Sequence, residues 1–361
     1  MKTSVHPFLL AILGSTLLFS CDSADNCCVP PPAASSPALF IVNAGNFGQA
    51  NGELSVYDEA TGALLNGVVK TANNGSEIGA GIESFYIHEK RGYIICNAPD
   101  KIEVLDSMLR FAANPITGLI TPRYMAAMGN TAYVSCWGPY GPNFDLPDSY
   151  VAVIDLNTLQ VIDTVQCGQG PEGLHLSGDN LYIANSFENS ITVYNARNKT
   201  YNSIMIEAAP QHFEKDGQGK IWASITGLYG AYPAEKTGFA VIDPIAETVE
   251  ATISAPGISE DGQMTTNANL SMIFFLKAEP WPSTGTSVYQ VNTFSRQVMP
   301  EASIRGDNFY GIGLSKTTGR LYITDTKGFM GNGELLVYSP SFELIDSKIT
   351  GIGPWNIVFT E

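Results

Sequence analysis

A chain of 361 residues that is 44% hydrophobic can bury a sizeable core, and its 35 Gly and 21 Pro suit many short strands better than long helices. Nineteen Lys and Arg against 35 Asp and Glu give a net charge of −16. That balance excludes a polyanion such as nucleic acid as the expected partner.

The N-terminus reads as a targeting segment. Lys2 precedes an apolar run at 7–20, PFLLAILGSTLLFS, which is too short to span a bilayer comfortably. The run ends in LLFSC and resembles the lipobox of bacterial lipoproteins. The resemblance implies cleavage before Cys21 and a diacylglycerol on its sulfur, so the membrane is reached through acyl chains alone. Residues 21–38, CDSADNCCVPPPAASSPA, then read as a semi-rigid tether. The acidic residues after Cys21 resemble the export signal of surface-exposed lipoproteins, which implies an outer-membrane, outward-facing location. The expected organisation is a signal peptide at 1–20, the tether at 21–38 and a folded domain at 39–361.

Cys27 and Cys28 are adjacent in the tether, whereas Cys96, Cys136 and Cys167 sit in or beside apolar strands. No CxxC occurs, so zinc is not suggested, and buried free thiols are expected for those three.

The domain is repetitive. A strand ending recurs as SVYD (55–58), EVLD (103–106), AVID (152–155), TVYN (192–195), AVID (240–243), SVYQ (287–290) and LVYS (336–339). Successive copies end 48, 49, 40, 48, 47 and 49 residues apart. A second apolar strand precedes each copy: LFIVN (39–43), GYIIC (92–96), AYVSC (132–136), LYIAN (181–185), KIWAS (220–224), MIFFL (272–276) and LYITD (321–325). Flanking strands such as GPEGLHLSGD (170–179) and LQVIDTVQ (159–166) complete units of four. This predicts an all-β, seven-bladed β-propeller of four-stranded blades. The chain enters at the second strand of a blade and leaves on GPWNIVFTE (353–361), which aligns with GPEGLHLS. The C-terminal strand is therefore expected to join the first blade and close the ring.

Residues 170–198 resemble the YVTN-type, or YncE-like, propeller repeat: LYIAN stands for its Y-V-x-N strand and ITVYN for its V-x-V-x-D strand. The likeness extends over the seven repeats and implies a fold rather than an activity.

Loop lengths point to one face. From the end of each second strand to the end of the third, the spans are 15, 10, 19, 10, 19, 14 and 14 residues. The long loops (44–53, 137–150, 226–238, 277–286 and 326–334) display Phe47, Trp137, Tyr140, Phe144, Tyr229, Tyr232, Trp281 and Phe329. Rigid aromatics on scaffolded loops suit ligand binding. The competing expectation is that they only pack together and hold the loops down. Alignment on GPEG places Glu83, Arg123, Glu172, Gln211, Tyr310 and Trp355 around the channel mouth of the same face, with blade six ambiguous near Met264. Arg123 beside Glu83 or Glu172 could instead tie blades together. His212 is expected to reach the mouth, and His88 and His175 to be structural.

No GxSxG, HExxH, Walker or Rossmann pattern is present, so no enzyme activity and no cofactor beyond the lipid are expected. An alternative is a hard metal held by Glu83, Glu172 and Asn356, as in lactonase-type propellers. TDTKGFMGNGE (324–334) has a faint calcium-loop look, which the central Lys327 opposes. The architecture is similar to lipoprotein propellers that capture cobalamin beside TonB-dependent transporters. That similarity implies surface capture of a large ligand, cobalamin foremost, for an outer-membrane transporter. A protein–protein scaffold is the third possibility.

Overall fold

A computed structural model of the chain describes residues 38–46, 48–279 and 285–360. The signal peptide, Cys21, Cys27, Cys28 and nearly all of the tether, together with Phe47 and Trp281, lie outside the described residues. What is described is a seven-bladed β-propeller of antiparallel sheets, in which each blade runs from an inner strand at the channel to an outer edge.

The second and third strands of the blades are near-continuous apolar runs because both of their faces are covered. In blade five, Trp222 packs toward Phe239, Phe275 and blade six, while its neighbours Ile221 and Ala223 pack toward Ile191 and Val193 of blade four. The same division repeats around the ring, and the described residues form seven apolar clusters, each straddling two adjacent blades. Burial thus couples every blade to two others.

The Asp or Asn that ends most third strands has a local cause. Asp58, Asp106, Asp155, Asn195 and Asp243 turn their side-chain oxygens back onto backbone N–H groups two to four residues on. Such turns offset the backbone bonds lost where the strand reverses. In blade six that role falls to Asn292, which accepts from Phe294 and Ser295. The repeat there therefore ends two residues later than SVYQ implies.

Closure follows the expectation. Pro354–Phe359 runs antiparallel to Ala38–Asn43, pairing Phe359 with Leu39 and Ile357 with Ile41. Two blades depart from four simple strands. Blade two has three, Ala80–His88, Arg91–Ala98 and Asp100–Leu105, and its edge is finished only by isolated bridges from Phe111 and Ile116. Pro115 lies in that stretch and cannot donate to a ladder. In blade six the outer strand is split into Gln297–Val298 and Ile304–Gly306 around Pro300, for the same reason. Cys96 and Cys136 are buried free thiols and Cys167 is a half-buried one.

Candidate functional site

The residues at the channel mouth are put there by one repeated irregularity. In the inner strands of blades two, three, four, five, seven and one, the pairing register slips at Glu83, Arg123–Tyr124, Glu172–Gly173, Gln211–His212, Tyr310–Gly311 and Trp355. Each slip is a bulge that re-aims a side chain. A backbone group freed by a bulge needs another partner. Hydroxyls on the facing strand supply it: Ser135 Oγ accepts from Tyr124 N, Ser224 Oγ from His212 N, and Thr324 Oγ1 from Gly311 N. In blades four and seven a glycine follows the aimed residue, because the next blade lies against it there. A Cβ on Gly173 would sit 2.4 Å from the Gln211 carbonyl oxygen, and one on Gly311 would sit 2.3 Å from that of Trp355.

Arg123 occupies the centre of this ring. Its Nη1 donates to Glu83 Oε2 at 2.5 Å, and its Nε and Nη2 grip Glu172 at 2.7–3.2 Å. Trp137 closes over it, with the guanidinium carbon 4.1 Å from the ring centroid and the indole Nε1 donating to Glu172 Oε2 at 2.9 Å. Burial opposes the charge on Arg123, but Glu172 and Glu83 outweigh it and hold the guanidinium above its ordinary pKa. Glu83, 1% exposed, is pushed up by burial and by Glu172 and Asp261 despite Arg123. Its Oε2 also accepts from Asn97, whereas its buried Oε1 has no hydrogen-bond partner.

Across the mouth Tyr310 donates to Asp261 Oδ1 at 2.7 Å and stacks on Trp355, with 24° between the rings. Burial raises Asp261 to about 6. The buried indole nitrogen of Trp355 has no partner. Gln211 donates to Thr226 Oγ1, and His212 stands edge-on to Tyr124, where burial lowers it to about 4. These groups enclose a space of only about 60 Å³, so the mouth is a plugged floor rather than an open pore.

The loop aromatics divide into two sets. Trp137 packs on Phe187 and Tyr140, and Tyr232 packs against the cluster between blades four and five. Tyr229 is 86% exposed, Phe144 80%, Tyr140 55% and Phe329 46%, the last with its edge on Tyr310. The loops that carry them are pinned. In 137–150, Leu146 is fully buried, and the single Ser149 hydroxyl proton is shared between the Trp137 and Leu146 carbonyls while its Oγ accepts from Gly170 N. In 226–238, Tyr229 N donates to Glu260 Oε2 at 3.2 Å.

Of the residues expected at the mouth, Glu83, Arg123, Glu172, Gln211, His212, Tyr229, Trp137 and Trp355 come together around one space, with Tyr310 bonded to its wall. Asn356 does not join them; it lines a separate cavity deeper in the channel. Arg123 fills the position between Glu83 and Glu172, so these residues do not fit the metal alternative. Among the described residues no group of three or more His, Cys, Asp or Glu is arranged to hold a metal ion. Lys327 bridges Asp325 and Glu334, taking the carboxylates that a calcium loop would need. His88 Nε2 donates to the Gly129 carbonyl, and His175 rests on Phe213. Sequence reasoning missed Asp261, Glu260, Phe187 and Tyr124, although Asp261–Gly262 repeats the acid–glycine step of Glu172–Gly173.

A family model described as "Domain of unknown function (DUF5074)" matches residues 38–343. The chain belongs to that family. No curated protein matches the sequence of this DUF5074 member. Solved seven-bladed propellers match its fold at low identity. A candidate 6-phosphogluconolactonase from Bacteroides fragilis superposes with a TM-score of 0.64 at 11% identity, over 92% of this chain and 100% of the other. A quinonprotein alcohol dehydrogenase-like protein from Bacteroides thetaiotaomicron gives 0.66 at 11%, over 90% and 78%. Apo AztD from Citrobacter koseri gives 0.53 at 13%, over 90% and 98%. At these identities the likeness is one of fold alone.

Proposed function

We propose that this DUF5074 propeller is a non-catalytic binding module that captures a large ligand of mixed polar and aromatic character on its loop-bearing face. The observation that carries the reading is the contrast at that face. Tyr140, Phe144, Tyr229 and Phe329 stand exposed on pinned loops, above a floor already closed by Arg123, Trp137, Glu172 and Trp355. Ordered aromatics in water lose little entropy when a ligand covers them. A ligand that reached the floor would also find the unpartnered Glu83 Oε1 and Trp355 Nε1. Glu83 and Glu172 spend their charge on Arg123, which argues for recognition over metal-assisted hydrolysis.

The finer reading joins this face to the N-terminal sequence. The protein is exported, anchored by a diacylglycerol on Cys21, displayed on the outer membrane, and passes its ligand to a TonB-dependent transporter. The architectural similarity to cobalamin-capturing lipoproteins makes cobalamin the first ligand to try. Calorimetric titration of cobalamin into the detergent-solubilised protein tests it: saturable heat supports the reading, and its absence at high micromolar ligand removes cobalamin. Turnover in a lactone-hydrolysis screen would favour the enzyme alternative. Co-purification with a transporter that needs no small ligand would favour a scaffold.

A further inference from the structure

The channel holds a second, larger space. Tyr124 lines both the small space under the loops and a cavity of about 600 Å³ on its other side. This cavity is bounded by the far halves of the inner strands and by the turn at 315–317 of blade seven, so it lies at the end of the channel away from the bulges and the loop aromatics. Its volume is that of a small-molecule site.

Two features give it chemical character. Ile357, Val358 and Phe359 of the closing strand are apolar yet only half-buried, because one side of that strand meets this void as well as packed neighbours. At the rim, Lys316 and Glu214 face each other across Thr266. Lys316 Nζ donates to the Thr266 carbonyl and to Thr266 Oγ1, and that hydroxyl donates to Glu214 Oε2 at 3.2 Å. An ammonium has three N–H donors and Thr266 takes two of them. Glu214 also accepts from the backbone N–H groups of Lys215 and Thr266, and it lines the cavity. Burial lowers the Lys316 pKa and raises that of Glu214, so both charges are poorly solvated where they stand. A cation and an anion a few ångströms apart, beside an aromatic and aliphatic wall, match a molecule carrying the opposite charges on one end and a ring on the other.

We propose that this cavity binds a zwitterionic aromatic amino acid, with its carboxylate on Lys316, its ammonium on Glu214 and its ring against Phe359, Tyr86 and Tyr124. This inference does not rest on the loop-face reading, since the two spaces are separated by Tyr124.

The test is calorimetric titration of the full chain in detergent with L-tryptophan, indole-3-propionate, which lacks the ammonium, and tryptamine, which lacks the carboxylate. Saturable binding of tryptophan is expected in the millimolar range or tighter, with each analogue at least ~10-fold weaker. Lys316→Met should abolish tryptophan binding, and Glu214→Gln should weaken tryptophan while narrowing its advantage over indole-3-propionate, a change of preference that loss of structure cannot mimic. Met264→Trp, which adds bulk at the cavity wall, should also abolish binding, and Glu214→Gln, read by preference rather than by loss, covers the case in which Lys316→Met melts early. No saturable binding of tryptophan, equal binding of an analogue, or tryptophan binding unchanged in Lys316→Met and Met264→Trp would each overturn the proposal.

Discussion

Arg123 holds Glu172 through both Nε and Nη2, at 3.1 and 2.7 Å, and so ties the inner strand of blade three to that of blade four. The same guanidinium reaches back to Glu83 of blade two, which makes one cation the clasp of three blades. The pairing costs desolvation on all three groups, so its value lies in what happens when it is broken.

Replacing Arg123 by Met leaves two buried carboxylates uncompensated. The expected loss is about 3–5 kcal/mol of stability, read as a fall in the urea midpoint. Adding Glu83→Gln and Glu172→Gln to that variant should restore much of the loss. A single Arg123→Met variant as stable as the parent would show that the clasp carries no weight.

Asp261 and His212 give stability opposite slopes with pH. The folded pKa of Asp261 is raised from 3.8 to about 6, so its contribution is complete below about 4 and is lost as pH rises through 6. That of His212 is lowered from 6.5 to about 4, so its contribution is present above 6.5 and is lost as pH falls through 4. Each shift corresponds to roughly 3 kcal/mol at most. Against Asp261→Asn, the parent should lose relative stability between about pH 4 and 7; against His212→Asn, it should gain over about the same range. Urea midpoints across this window check both signs.

Removing the closing strand tests the ring. Truncation after Gly353 exposes the inner edge of Ala38–Asn43 and uncovers the cluster of Leu39, Ile41, Tyr322 and Val337. The truncated chain should melt at a clearly lower temperature, or not fold cooperatively, by circular dichroism. An unchanged melt would mean that blade one is complete without it.

The exposed and packed aromatics should separate on substitution. Tyr229→Ala and Phe144→Ala should each weaken ligand binding by about 2 kcal/mol with little change in melting, as expected of exposed anchors. Trp137→Ala should lower binding and melting together, because its indole nitrogen bonds Glu172 and its ring covers Arg123. Trp281→Ala is expected to behave as an anchor.

Much of this was legible in the sequence because the propeller repeats its constraints. The two-sided burial of the second and third strands wrote apolar runs at a steady period, and the turn-forming acids marked their ends. The ring of Glu83, Arg123, Glu172, Gln211, Tyr310 and Trp355 could be aligned because one bulge recurs at the same place in each of their inner strands. Asp261 was missed because blade six has no such register slip in its short inner strand Met264–Thr266, so alignment there had no anchor. The pairing of Lys316 with Glu214 was not legible at all. The two lie on different blades about a hundred residues apart, and only ring geometry brings them to one rim.

The most direct test of the central claim is calorimetric titration of cobalamin into the detergent-solubilised protein and into its Phe144→Ala/Tyr229→Ala variant. Capture on the loop face predicts saturable heat from the parent, with affinity reduced by roughly 3–4 kcal/mol in a variant of unchanged melting temperature. Equal affinity in the two proteins would contradict capture on that face, and no heat from either would contradict cobalamin as the ligand.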